Sequence, residues 1–513
     1  MNAAVSMLRT AAAAEVDVCF ANPGTTEMAF VAALDRVPAI RPVLCLFEGV
    51  CTGAADGYGR MRGAPALTLL HLGPGFANGI ANLHNARRAA SPVVNLIGDH
   101  MSWHLEHDAP LTADIESLAR PVSAWLRTVG SAKDAPAQIA EAIAAAGGAP
   151  GSVATLVVPA DFQIAESGGP ANRVSVPAPT RPEPSEVETA AALLRGAEPP
   201  TLLLGGTALS ARGVAAAGRV AAATGARLVA ETFASRWERG RGTPAIERLP
   251  YLPEQASQFL AAESGLLLAG ARSPVAFFGY PGVPSLIAPD RPRHALARPE
   301  QDAAGALEDL ADALDARTPA AADEPAAPPA PGPGPLDALT VGRLIAANLP
   351  EGAIVVDEAA TSGLGLYAAA THAPPHTVLA LTGGAIGQGM PCATGAAIAC
   401  PDRKVISFQA DGSAAYTLQA LWTQAREGLD IVTLLCSNRA YRILKIELGR
   451  AGIAEPGPAA RALTSLDAPE IDWVKLALGF GVPALRVDTS EALARALPRA
   501  IAEPGPRLIE IIL

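Results

Sequence analysis

The feature that most constrains this chain is a repeated rhythm of short apolar, β-rich runs set between Ala- and Leu-rich helical segments. Val43–Phe47, Ala66–Leu72, Val93–Ile97 and Thr155–Val158 are such runs in the first third, and Thr201–Leu204, Arg227–Ala230 and Gly265–Ala269 in the middle. Ala353–Val356, Lys404–Gln409, Ile431–Cys436 and Leu508–Ile512 carry the pattern through the last third. A strand that is apolar at every position has both faces covered, which is the situation of parallel sheets lying between helical layers. The fold class expected is α/β, with three doubly wound parallel-sheet domains.

Two polar, Pro-rich stretches, Ser167–Glu186 and Thr318–Pro335, read as linkers because proline cannot donate to a strand ladder. They divide the 513 residues into domains expected at 1–168, 186–318 and 336–513. Half the residues are hydrophobic and 17% are charged, enough apolar material for several cores. The net charge of −11, from 39 basic and 50 acidic residues, speaks against nucleic acid as a partner. No uninterrupted apolar run reaches the length of a membrane span. Glu15 and Asp17 interrupt the N-terminal segment, which reads as a helix entering a strand and not as a secretory leader. The six cysteines form no CxxC pair, so reduced, buried thiols in a cytoplasmic protein are expected.

In α/β sheets ligands bind beyond the carboxyl ends of strands. The strand Val405–Gln409 runs into Ala410-Asp411-Gly412-Ser413 and a helix, and the next strand ends in Ser437-Asn438-Arg439-Ala440-Tyr441. One right-handed crossover can make the two strands neighbours, which would bring Asp411 and Asn438 together. A carboxylate with an amide oxygen is a hard-oxygen pair suited to Mg²⁺, and a helix starting near Ser413 would turn its N-terminal amides toward a phosphate. Either motif alone also reads as a capped helix or an ordinary strand end. Glu48 stands between an apolar strand and a helix rich in Ala and Gly, where the helix dipole alone would favour it. In Thr382–Pro391 clustered glycines allow close approach to a ligand. Phe20–Glu27 and Leu70–Gly75 are turns after strands, and they present Thr25 and His71. His100, His104 and His107 have helical spacing but no strand-bound partner, and read as a surface loop.

Together these segments resemble the thiamine-diphosphate enzyme family. The Asp411…Asn438 pair resembles its GDG…NN signature, and Leu44–Arg60, LCLFEGVCTGAADGYGR, resembles its pyrimidine-domain motif. The resemblance implies a pyrimidine-binding, a central and a diphosphate-binding domain in that order. It implies thiamine diphosphate and Mg²⁺ as cofactors, with Asp411, Asn438 and the Ala440 carbonyl on the metal. Thr361, Gly384, Ile386, Gly412, Ser413 and Tyr441 would contact the cofactor, Ile386 bending it. Glu48 would hydrogen-bond N1′ of its aminopyrimidine. Ala410 and Ser437 depart from the signature, at positions that are not metal ligands. Leu70-His71 resembles benzoylformate decarboxylase, which makes His71 a proton relay and places Thr25 near the substrate carboxylate. Ile443 and Leu444 would line the substrate pocket. Phe278, Gly279 and Tyr280 stand where that decarboxylase has a second histidine, and the signatures of FAD binding are missing, so FAD is not expected.

The activity implied is that of a 2-oxo-acid decarboxylase or carboligase of the acetolactate synthase-like group, acting on a small 2-oxo acid. A simple benzoylformate-type decarboxylase and a non-catalytic thiamine-diphosphate-binding paralogue are the alternatives. Because the family's cofactor lies between two subunits, the resemblance implies a homodimer at least, with homotetramers common among relatives.

Overall fold

A computed structural model describes residues 1–317 and 332–513, so residues 318–331 of the expected second linker lie outside the described residues. The N-terminal segment supplies β1 (Val18–Asn22), β2 (Arg41–Leu44), β3 (Ala66–His71), β4 (Val93–Asp99), β5 (Trp125–Thr128) and β6 (Val153–Pro159). They form a sheet in the order β2-β1-β3-β4-β6-β5, every pair parallel. All seven residues of β4 and of β6 are buried, as strands covered by helices on both faces must be.

The central segment contributes β7 (Thr201–Leu204), β8 (Leu228–Ala230), β9 (Trp237–Arg239), β10 (Glu247–Arg248), β11 (Leu266–Ala269) and β12 (Arg293–Ala297). Five of these make a parallel sheet in the order β10-β8-β7-β11-β12. The C-terminal segment contributes β13 (Ile354–Glu358), β14 (His376–Ala380), β15 (Val405–Ala410), β16 (Ile431–Ser437), β17 (Ala484–Val487) and β18 (Arg507–Ile512). Here β17-β18-β16-β15-β13 is again wholly parallel, while β14 pairs antiparallel with β9. The protein is thus α/β with three sheets dominated by parallel pairing.

Two compact units result. Among the described residues, the first comprises 1–177, 332–366 and 381–513, and the second 178–317 and 367–380. The N- and C-terminal sheets share a unit because two helices of small residues, Glu48–Arg62 and Gly389–Ala399, meet backbone to backbone. A methyl group on Gly57 would lie 2.0 Å from the Cys392 carbonyl oxygen, and one on Gly395 1.8 Å from that of Ala54. Asp56 and Arg60 form a buried ion pair on the same helix, Nε to Oδ1 at 2.8 Å and Nη2 to Oδ2 at 2.7 Å. Gln388 donates to Asp56 at 2.7 Å and Arg60 to Thr382 at 3.1 Å, so this pair ties the helix to the segment before Gly389.

Some boundaries differ from expectation. β2 stops at Leu44, and Phe47 is the cap of a helix whose first residue is Glu48, with the Val50 N–H already bonded to the Phe47 carbonyl at 2.9 Å. The helix expected from Ser413 is a single turn, Asp411–Ala414, followed by Ala420–Arg426. The short strands β5, β12 and β17 are partly exposed and carry no continuous apolar run. Among the described residues no helix is long and apolar enough to cross a membrane, and all six cysteines are free, five of them buried.

Candidate active site

All the site residues named above belong to the first compact unit. β15 and β16 are parallel neighbours, with Ala410 opposite Cys436, so the two tips do present Asp411 and Asn438 side by side. Asp411 is 2% exposed and opens the one-turn helix. Its Oδ1 accepts the Gly412 N–H at 2.8 Å and its Oδ2 the Arg439 N–H at 2.7 Å. Burial raises its pKa, and backbone N–H groups oppose that rise. The Asn438 side-chain oxygen accepts the Ala440 N–H at 3.0 Å, in a turn made possible by Arg439 at φ 54°. A buried carboxylate and an amide oxygen, both oriented by main-chain donors, fit a hard divalent cation such as Mg²⁺. Among the described residues no three His, Cys, Asp or Glu side chains converge as a metal cluster, and a site with one carboxylate requires none.

Around this pair the phosphate-side expectations fall close together. Gly412 faces the Tyr441 ring, whose Cε1 would lie 2.5 Å from a methyl group there, and Ser413 is buried in the same turn. Thr361 is half-buried in the 3₁₀ turn Ala360–Gly363 that follows β13. Ile443 is half-buried and Leu444 is 45% exposed on the helix Arg442–Arg450, which buries none of its residues within the chain.

The Gly-rich segment is held from both sides. Gly384 and Gly387 take φ of 76° and 99°, the left-handed region that glycine adopts without strain. Glu358, fully buried at the end of β13, accepts N–H groups from Gly387, Gln388 and Gly389 at 2.8, 2.9 and 2.8 Å. Burial pushes its pKa up to about 7 against those donors. From the N-terminal part, the Leu72–Ala89 helix sends Asn85 to both polar groups of Ala385, at 2.7 and 3.2 Å. Asn82 reaches the Gly387 carbonyl at 3.3 Å and His84 that of Gly383 at 3.2 Å. Ile386, between these anchors, is half-buried.

Glu48 is 9% exposed at its helix start and accepts a hydrogen bond from Asn78 at 3.0 Å. A methyl group on Gly75 would sit 2.9 Å from the Glu48 carboxylate and 3.3 Å from His71 Cβ, so one small space separates these two side chains. His71 ends β3, and Leu72 after it is held at φ 53°. The imidazole Nδ1 lies 2.8 Å from the Glu27 carboxylate and 3.2 Å from the Thr26 hydroxyl. Thr25 is exposed at the start of that turn, and its neighbour Thr26 is the hydroxyl that meets His71. His100, His104 and His107 form a chain of ring contacts, His104 and His107 on the 3₁₀ turn Ser102–His107 and His100 just before it.

Sequence reasoning missed Glu27, Asn78, Asn82, Asn85 and Glu358. For Glu27 a signal was present: an acidic residue three places after Gly24 has capping-box spacing, and it accepts the Gly24 N–H at 2.7 Å. Asn82 and Asn85 act across about 300 positions of chain and Asn78 across 30, so none has a local signature. Non-glycine residues in the left-handed region stand beside the site at Leu72, Ala360 and Arg439, which is where backbone strain tends to collect.

Comparison with known proteins identifies the family. Residues 1–118 match the family profile for the N-terminal TPP binding domain of thiamine pyrophosphate enzymes, and residues 362–511 that for the C-terminal TPP binding domain. The chain is 50% identical, over 100% of its length and 99% of the relative's, to a Mycobacterium tuberculosis protein provisionally assigned as the acetolactate synthase large subunit IlvX. It is 31% identical to benzoylformate decarboxylase of Pseudomonas aeruginosa, covering 96% of this chain and 95% of that one. Its fold superposes on the thiamine diphosphate-dependent 4-hydroxybenzoylformate decarboxylase of Rhodococcus jostii RHA1 with a TM-score of 0.87 at 26% identity, covering 99% and 98% of the two chains. With its two cofactor-domain profiles and its full-length relatives, the chain belongs to the thiamine pyrophosphate-dependent enzyme family.

Proposed function

We propose that the chain is a Mg²⁺- and thiamine diphosphate-dependent 2-oxo-acid decarboxylase or carboligase of the acetolactate synthase-like group. The observation that carries this reading is that one chain holds both a buried Glu48 close to His71 and a buried Asp411 next to Asn438, each just beyond a parallel strand. When bound, thiamine diphosphate supplies the electron sink that allows a bond next to a carbonyl to break or form. Asp411, Asn438 and the Ala440 carbonyl hold Mg²⁺, and Gly412, Ser413, Tyr441 and Thr361 border the diphosphate. Glu48, buried and oriented by Asn78, would hydrogen-bond the aminopyrimidine. Gly384 and Ile386 support the rings, and His71 moves a proton at the reacting end of the substrate, with Thr25 at the turn nearby.

In this reading the active unit is a homodimer or a larger homo-oligomer, with Glu48 of one subunit facing Asp411 of the partner subunit. Apolar side chains left open around the metal loop support it: Leu364 is 68% exposed, Tyr416 54%, Leu444 45% and Leu463 78%. Isolated exposed leucines are ordinary, but a cluster of this size next to a site marks a surface that is covered in use.

The purified protein, supplied with thiamine diphosphate and Mg²⁺, is expected to release CO₂ from at least one member of a panel of 2-oxo acids that includes pyruvate and arylglyoxylates. Glu48→Gln is expected to abolish that release while still binding cofactor. Acetolactate formed from pyruvate would mark a ligase, and aldehyde alone a decarboxylase. Cofactor binding without turnover on the whole panel would overturn the reading in favour of a binding-only paralogue.

A further inference from the structure

We infer that Glu27 is a positioning residue that holds His71 as the Nδ1–H tautomer, so that Nε2 is the ring nitrogen offered to substrate beside Glu48. This rests on the functional reading above for its consequence in catalysis, but the tautomer itself follows from the chain's own contacts.

Glu27 is wholly buried, whereas the His71 side chain is 23% exposed. An ionised carboxylate can only accept hydrogen bonds, so each of its neighbours must be a donor. Glu27 Oε2 accepts the Gly24 N–H at 2.7 Å and lies 2.8 Å from His71 Nδ1, while Oε1 accepts the Thr26 hydroxyl at 2.6 Å. Thr26 Oγ1 also lies 3.2 Å from Nδ1, but its single proton is committed to Glu27. Nδ1 therefore faces two oxygens that can accept and none that can donate, and it carries the proton. The neutral ring then has its lone pair on Nε2.

The arrangement is enforced by the sheet. Glu27 lies in the 3₁₀ turn Thr25–Glu27 that follows β1, and His71 and Gly98 stand at the carboxyl ends of β3 and β4, the next strands in the sheet. Glycine at both borders makes the slot: a methyl group on Gly98 would lie 1.9 Å from Glu27 Oε1, and one on Gly24 2.3 Å from His71 Nδ1. On the far side, the space at Gly75 is bordered by both the His71 Cβ and the Glu48 carboxylate. The same logic, a buried carboxylate fixing which imidazole nitrogen is the base, operates in hydrolase triads.

The test is ¹⁵N-histidine NMR of the full-length protein without cofactor or substrate, with His71→Asn used to assign the signal. The ring of the wild type is expected to be protonated at Nδ1. In Glu27→Leu both carboxylate acceptors are gone and the Thr26 hydroxyl, freed from Glu27, can donate to Nδ1, so the signal is expected to change to the Nε2–H form. With turnover as a second readout, Glu27→Leu is expected to lower kcat by about 100-fold, the scale of one proton-transfer group, while KM and cofactor affinity hold. Glu27→Asp is expected to recover part of it. An Nε2–H ring in the wild type, or an unchanged tautomer in Glu27→Leu, would overturn the inference. Should Glu27→Leu not fold, the wild-type signal decides alone. Absence of turnover in every form would count against the functional reading and leave the tautomer result standing.

Discussion

Glu358 sits on the amino end of the helix Gly389–Ala399, its Oε2 2.8 Å from the Gly389 N–H while Oε1 takes the N–H groups of Gly387 and Gln388. One carboxylate thus sets the path of the glycine segment that the cofactor rings would rest on, and it does so from the strand that lies next to the metal strand.

Burial of that carboxyl gives stability a pH dependence. Burial lifts the Glu358 pKa from 4.5 to about 7, so across that window the native protein holds a proton that the unfolded chain has released. The contribution is therefore fully present below the unfolded value and is lost as pH rises through the folded one. Urea midpoints measured at about pH 5 and about pH 7.5 should show a smaller decline in Glu358→Gln than in the wild type. An equal or steeper decline in the variant would remove Glu358 as the source.

The contact of the two small-residue helices leaves no room for a methyl group. Gly395→Ala, which would push Cβ to 1.8 Å from the Ala54 carbonyl, is expected to cost at least about 3 kcal/mol, the upper end of overpacking effects. Gly63→Ala is the control: its φ of 66° is strained for alanine but the space is open, so about 1 kcal/mol is expected. Chemical denaturation of both variants checks the order.

Asp56 and Arg60 are buried together, and removing one charge strands the other. Asp56→Ala should destabilise the protein by about 3–5 kcal/mol. Because Gln388 also donates to Asp56, the loss should reach the glycine segment, and protection of the Gly387 to Gly389 amides from hydrogen exchange is expected to fall with it. A variant with unchanged exchange there would show that the ion pair does not support the segment.

Asp411→Asn tests the metal pair. The amide can keep one of the two main-chain bonds to Gly412 and Arg439, so the fold should survive, but the negative charge is gone. Thiamine diphosphate titrated by calorimetry in the presence of Mg²⁺ should bind at least about 10-fold more weakly, and added Mg²⁺ should help it less than it helps the wild type. Unaltered Mg²⁺ dependence would move the metal elsewhere.

What could be read before the structure, and what could not, divides by the range of the interaction involved. Runs such as Ile431–Cys436 are long enough and apolar enough to declare a buried strand, and Asp411, Asn438 and His71 follow their strands closely enough that their places at the carboxyl tips were legible. Glu48 was placed correctly in sequence but at the wrong element end, because Cys45, Leu46 and Phe47 are as apolar as strand residues while forming the turn and cap of a helix. The edge strand β5 escaped because half its residues face solvent.

Local sequence, then, determined the alternating α/β layers and the positions of the acidic and amide groups at strand ends, since each of those depends on residues within one turn or one strand. Tertiary structure alone decided the partners. Glu27 meets His71 across 44 positions because β1 and β3 are neighbours, and Asn85 meets Ala385 across 300 because two glycine-containing helices pack closely enough to bring their flanking segments together. Hydrogen bonds of that range leave no periodicity or spacing in the chain, since strand order and helix contact, and not distance along the backbone, set which groups face each other.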